Sequence, residues 1–329
     1  MLDSFGREID YLRISITDRC NYRCLYCMPE QGIEKKQHSD ILSFESILKI
    51  VKALSKVGIK KVRVTGGEPM VRKGCLSFVN ELSSIPGIND VCLTTNGFYL
   101  YDAEQELKNT KIDMLNVSLD TLDKNTFAQI TRGGDLDKVL QGLDTAVKCG
   151  IKNIKINAVL MRGVNDNTIR EFAEFGKANN FKVRFIEIMP FSVNNSFEKY
   201  GISADEIIKK YGLIRTEDKD YSNNIETYVF DDGLEVGFIR PISKKFCEKC
   251  NRLRLTADGK LLLCLHGSAY VDLKDILDDD KALDEAIQKA IAEKPKEHNI
   301  NLGQIQQRLY RKHPVRTFAG ENATRSVCR

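Results

Sequence analysis

No apolar run in the 329 residues approaches the roughly 18–20 needed to cross a bilayer. The opening Met-Leu-Asp-Ser-Phe-Gly-Arg-Glu lacks the apolar segment of a secretory signal, so a cytoplasmic location is expected. Charge of one sign is scarce too: 50 Lys and Arg against 46 Asp and Glu leave a formal +4, with a pI near 8.4. Nucleic-acid-binding domains exceed a pI of about 9 and gather their basic residues on one face, so no nucleic-acid partner is expected. No sequence repeat organises the chain. What remains is ordinary for a globular protein, 42% hydrophobic and 29% charged, which excludes a disordered chain. The length allows one large domain or two unequal ones.

The ten cysteines are unevenly placed. Cys20, Cys24 and Cys27 form C-x3-C-x2-C, and Cys247, Cys250 and Cys264 form C-x2-C-x13-C. Cys75, Cys92, Cys149 and Cys328 stand alone and read as small hydrophobes. In a reducing compartment clustered thiols bind metal or do redox chemistry rather than pair as disulfides. Each triplet offers three thiolates where a closed zinc site takes four ligands. His266, two residues beyond Cys264, could supply the fourth at the second triplet. Three thiolates also suit a four-iron cluster with one iron left open for a small molecule. Spacing alone leaves both readings standing.

Strand-like runs at 11–17, 61–65, 90–96, 114–120, 153–161 and 182–189 alternate with helical patterns such as 44–57, 76–84, 136–149 and 169–179. Such alternation predicts βα units on a parallel sheet, and six units fall short of a closed eight-stranded barrel. Period-two alternation sorts the strand side chains onto two faces. Leu12, Ile14, Val62, Val64, Leu115, Val117, Ile154 and Ile156 share the face that helices must cover. Arg13, Arg63, Thr94, Asn116, Ser118, Lys155 and Asn157 share the other, predicting a wet concave cavity. Three buried cations without anions would be costly, so the cavity is built for a polar, anionic ligand.

From about residue 221 the texture changes. Stretches 228–230, 233–237 and 253–264 read as hairpins, the last two with turns at Asp231-Asp232-Gly233 and Ala257-Asp258-Gly259. Helical stretches are expected at 272–277 and 281–293. Two domains are predicted, 1–220 and a smaller α+β domain at 221–329, joined by a crossover over 192–221.

The stretch YLRISITDRCNYRCLYCMP, residues 11–29, resembles the radical S-adenosylmethionine (SAM) superfamily, with an aromatic residue, Tyr26, before the third cysteine. Gly66-Gly67-Glu68-Pro69 resembles that superfamily's Gly-Gly-Glu-Pro turn. The second triplet, inside FCEKCNRLRLTADGKLLLC, narrows the resemblance to the GTP 3′,8-cyclases, over about residues 6–301. The resemblance implies an incomplete (βα)6 barrel of the radical SAM type with a smaller C-terminal α+β domain. It implies two 4Fe-4S clusters, one on Cys20, Cys24 and Cys27 and one on Cys247, Cys250 and Cys264. Tyr26, Gly67, Ser118 and Met189 match positions for S-adenosylmethionine. Arg13, Arg63, Thr94, Lys155, Arg252, Leu253 and Arg254 match positions for GTP, with Arg184 a further triphosphate position. The reaction implied takes hydrogen from C3′ of the ribose and joins C3′ to C8, giving 3′,8-cyclo-7,8-dihydro-GTP for molybdenum cofactor biosynthesis. The product would pass to a cyclic pyranopterin monophosphate synthase, and members of this family are often homodimers.

Competing readings are another radical SAM enzyme with an auxiliary cluster, such as a peptide-modifying maturase, and a non-catalytic zinc protein with two cysteine knuckles. The chain departs from the family at its tail, where relatives end in Gly-Gly and here Gly320 follows Ala319 and precedes nine more residues. Glycine alone lacks the Cβ that obstructs a tight approach to ligands, so this tail is expected to spare cofactor cleavage and impair cyclisation.

Overall fold

The computed structural model describes residues 1–34, 36–190, 196–216, 224–267 and 269–298. The expected boundary at 220/221 and the tail from Phe318 onward lie outside the described residues.

Alternation of apolar and polar residues sets the first six strands: β1 (Tyr11–Ser15), β2 (Lys61–Thr65), β3 (Asp90–Thr95), β4 (Met114–Ser118), β5 (Ile154–Leu160) and β6 (Lys182–Glu187). Between them run α1 (Phe44–Lys56), α2 (Cys75–Ser83), α3 (Glu104–Leu107), α4 (Lys124–Thr131), α5 (Leu136–Lys148) and α6 (Ile169–Asn179). Helix starts follow capping chemistry: the Ser43, Asp123 and Asp135 side chains accept the N–H groups of Ser46, Thr126 and Lys138. The apolar strand face lies under these helices. Leu12, Ile14, Val62, Val64, Leu115, Val117 and Ile156 are buried in one core with Ile47, Ile50, Phe78, Val79 and Phe172. Each such side chain contributes about 1.5–3 kcal/mol on burial.

After β6 come α7 (Ser196–Tyr200), α8 (Ala204–Tyr211), β7 (Ile214–Arg215), β8 (Glu226–Val229), β9 (Glu235–Ile239), β10 (Arg252–Leu255), β11 (Lys260–Leu262), β12 (Tyr270–Asp272) and α9 (Asp280–Ala292). The strands form one sheet in the order β12-β11-β10-β1-β2-β3-β4-β5-β6-β9-β8-β7. The expected six-stranded parallel sheet is thereby lengthened. β10 joins the free edge of β1 and β9 that of β6, both in parallel. The C-terminal part therefore extends the sheet at both edges. The helix expected at 272–277 is absent: Val271 pairs with Leu261 in a strand, and only a short 3-10 turn, Lys274–Ile276, follows. Among the described residues no helix is long and apolar enough to cross a membrane.

Candidate active site

Strand register stacks the polar faces into rows. Arg254, Arg13, Arg63 and Cys92 occupy one, Thr94, Asn116 and Lys155 the next, and Ser118, Asn157 and Arg184 another. All of these but Cys92 and Ser118 border a cavity of about 280 Å³, whose wall also includes Lys61, Arg252 and Lys294 and no carboxylate among the described residues. Six of the seven expected GTP positions line this one cavity. Leu253 does not: its side chain is fully buried in the core, on the opposite face of β10. Lys61, Asn116, Asn157 and Lys294 were not singled out as ligand residues. Strand parity carried the signal for the first three; nothing local marked Lys294, which follows α9.

Two of the cations in this wall, Arg13 and Arg254, are crowded by like charges. Burial, with Arg254 and Arg63 nearby, holds the Arg13 guanidinium down to about 9; burial and Arg252 bring Arg254 to about 10. Arginine keeps its proton in proteins, so these depressions express the cost of burying guanidinium groups beside one another. Arg63 donates to the Tyr11 hydroxyl and, at 3.2 Å, to Thr94 Oγ1. The Arg13 Nε and the Asn116 and Asn157 side-chain oxygens are buried without a hydrogen-bond partner. Buried polar atoms are normally satisfied, so this cavity is complete only with a ligand that both accepts and donates.

The first triplet sits in the loop after β1, at the C-terminal ends of the parallel strands. The Arg23 and Leu25 N–H groups donate to the Thr131 and Ile130 carbonyls of α4 at 3.1 and 2.9 Å. Arg132 closes the loop from the other side, donating to the Arg23 and Met28 carbonyls at 2.6 and 3.0 Å. Burial pushes all three thiols up, the Cys24 thiol farthest, with Asp120 and the neighbouring cysteines adding to it. Three thiols held so need a cation to ionise together.

Gly67 has a packing reason to be glycine that holds without any ligand. A Cβ there would lie 2.2 Å from the Arg19 carbonyl oxygen, while the Gly67 and Glu68 N–H groups donate to Thr17 and Arg19 carbonyls at 2.8 Å each. The Gly-Gly-Glu turn is thus packed directly on the cysteine loop. Burial pushes the Glu68 carboxyl up to about 7 against the N–H of Asn96, the Thr95 hydroxyl and the N–H of Met70 that donate to it. On the expectation of one four-iron cluster per triplet, Gly67→Ala should displace the cysteine loop and strip iron from the first triplet only, leaving roughly half of the wild-type iron on analysis.

Met189 reaches the cavity wall, and with Tyr26 it packs on Ile188, Phe197 and Ile242. The Tyr26 hydroxyl donates to Asp120 Oδ2 at 2.8 Å, and burial raises the Asp120 carboxyl to about 6. Tyr26, Gly67 and Ser118 lie beyond this wall, on the side of the first triplet.

The second triplet lies at the N-terminal ends of the strands and lines the cavity itself. Arg7 braces it, donating to the Cys247 and Lys296 carbonyls at 2.9 and 2.8 Å and to the Pro295 carbonyl at 2.7 Å. At Cys250 burial works against the thiolate, but Lys294, Arg252 and Arg7 outweigh it and bring the thiol below its usual range. His266 is held down to about 4 by burial and then by His298 and Arg254. The nine described cysteines are all free thiols, and among the described residues no three His, Cys, Asp or Glu groups are arranged around a single ion. Each triplet supplies three thiols, the number that a four-iron cluster with one open iron would take.

Comparison with known proteins agrees with this geometry. Residues 14–176 match the family model of the radical SAM superfamily, and residues 181–300 match that of Molybdenum Cofactor Synthesis C. A GTP 3′,8-cyclase from Peptoclostridium acidaminophilum is 46% identical over 92% of this chain and 95% of its own length. One from Clostridium botulinum (strain Langeland) is 44% identical over 91% and 95%, and one from Thermodesulfovibrio yellowstonii is 46% identical over 84% and 88%. Among solved structures, Streptococcus suis SuiB bound to S-adenosylmethionine matches with a TM-score of 0.60 at 16% identity, over 83% of this chain and just under two thirds, 65%, of its own. Hexahistidine-tagged anSMEcpe with bound AdoMet matches with a TM-score of 0.54 at 15% identity, over 92% and 96%. At such identities the structures show the fold alone.

Proposed function

The chain belongs to the radical SAM superfamily and, within it, to the GTP 3′,8-cyclases, and from that membership we propose how its residues divide the work of the reaction. The enzyme converts GTP to 3′,8-cyclo-7,8-dihydro-GTP, the first step of molybdenum cofactor biosynthesis. The observation that carries the assignment of residues is the cavity rich in cations, without a carboxylate, that the second cysteine triplet borders.

In this reading Cys20, Cys24 and Cys27 hold the cluster that binds S-adenosylmethionine, and Cys247, Cys250 and Cys264 hold a second one at the opposite strand ends. When bound, the first cluster with its cofactor supplies one-electron cleavage of the sulfonium and the adenosyl radical that takes the C3′ hydrogen. Tyr26, Ser118 and Met189 hold the cofactor's nucleoside, and Gly67 holds the loop that carries the cluster. Arg13, Arg63, Lys155 and Arg184 bind the triphosphate, for which guanidinium forks are well shaped. Arg252 and Arg254, on β10 beside the second triplet, hold the guanine end. The protein's contribution is to position the two ligands against each other. The part up to about residue 220 carries the cofactor, and the remainder carries the second cluster. The same reading places the enzyme in the cytoplasm as a homodimer, with a cyclic pyranopterin monophosphate synthase consuming its product.

Anaerobic incubation with reductant, S-adenosylmethionine and each of the four ribonucleoside triphosphates, followed by mass spectrometry, tests it. A cyclised, reduced nucleotide is expected from GTP alone. Its absence, or equal conversion of ATP, would contradict the reading.

A further inference from the structure

We propose that the side-chain oxygen of Asn116 accepts a hydrogen bond from a ribose hydroxyl of the bound nucleotide, so that this residue selects the ribonucleotide over its deoxy forms. The inference deepens the reading that GTP fills the cavity. Asn116 is 8% exposed and lines the cavity wall, and its Oδ1 is buried with no hydrogen-bond partner. A buried acceptor left unpaired is costly, and such atoms persist where a ligand completes them.

The surroundings decide which donor that is. Asn116 lies between Thr94 and Lys155 in register, in a wall supplied with cations for phosphate. An amide oxygen cannot serve a phosphate, which only accepts. The nucleotide's own donors are the ribose hydroxyls and the guanine N–H groups, and the guanine end belongs beside the second triplet. On β4, Asn116 is one inward-facing step from Ser118, about 7 Å along the strand. A ribose that yields hydrogen to an adenosyl carbon held at Ser118 must lie within about one such step of it. Asn116 stands at that place, between the cofactor row and the row of Arg13 and Arg63. Asn157, whose oxygen is also buried and unpaired, lines the same cavity but stands level with Ser118, in the row of Arg184, rather than one step from it.

The test is binding without turnover: equilibrium dialysis of GTP, 2′-deoxyGTP and 3′-deoxyGTP against the fully reconstituted protein, kept anaerobic and without reductant. Wild type is expected to prefer GTP to at least one deoxy form by about tenfold, the worth of one well-placed hydrogen bond. Asn116→Leu, of similar shape but without an acceptor, should weaken GTP about tenfold and bring the preference within about twofold of unity. Asn116→Asp keeps an acceptor in place and should keep the preference while weakening all three triphosphates. Asn157→Leu should keep it as well. Uniform weakening of all three nucleotides by Asn116→Leu, with the preference intact, would overturn the proposal, and so would a loss of preference in Asn157→Leu alone. Wild type failing to bind GTP at all would instead overturn the reading on which the proposal rests.

Discussion

Cys24→Ser should abolish cleavage of S-adenosylmethionine and leave about half of the roughly eight irons expected per chain, while Cys250→Ser should leave a similar half and still cleave the cofactor without giving cyclised product. The asymmetry follows from placement. Cys24 lies in the loop after β1, half-buried and braced by α4 and Arg132, at the C-terminal ends of the parallel strands. Cys250 precedes β10 at the other end, among Lys294, Arg252 and Arg7. The two loops share no hydrogen bond among those described, so loss of one cluster should not unfold the other's seat. Iron analysis with deoxyadenosine and product quantified in parallel reads both variants. A stoichiometric zinc at either triplet, or equal loss of both activities in both variants, would contradict the division.

Arg63→Ala and Lys155→Ala are expected to weaken GTP by roughly a hundredfold, with little change in S-adenosylmethionine affinity. Arg63 is 5% exposed and its guanidinium reaches Tyr11 and Thr94 on either side. In a water-poor wall a charge-assisted contact to phosphate is worth several times its value on a surface. Guanosine is the control, because it has no phosphates to lose. Equal losses for guanosine and GTP would show that the substitutions damage the fold. Loss confined to S-adenosylmethionine would place these residues on the wrong ligand.

Local pattern carried much of this site. The bounds of β2 and α6 follow directly from periodicity, and parity alone placed Arg13, Arg63, Thr94 and Lys155 on the inner face. Parity also held Leu253 away from the cavity, between the inward Arg252 and Arg254, where the resemblance had grouped all three. Long-range pairing was not legible. Nothing in residues 252–255 or 235–239 announces that these strands will add in parallel to opposite edges of a sheet begun 200 residues earlier, because register there depends on partners distant in the chain. The same distance hid Arg7 and Lys294, whose roles exist only once the N-terminus and the end of α9 meet the second cysteine loop. The Gly-Gly-Glu turn was found by motif, but its purpose came from the backbone packed 2.2 Å from the missing Cβ.

The central claim is that the nucleotide's ribose lies against the cofactor, between the two cysteine triplets. GTP deuterated at C3′, turned over anaerobically with unlabelled S-adenosylmethionine, tests it in one mass spectrum. The account predicts one deuterium in the 5′-deoxyadenosine formed and none at C3′ of the cyclised product. Deoxyadenosine without the label, formed alongside product, would mean that hydrogen leaves from elsewhere and that the ribose does not lie between the triplets as proposed.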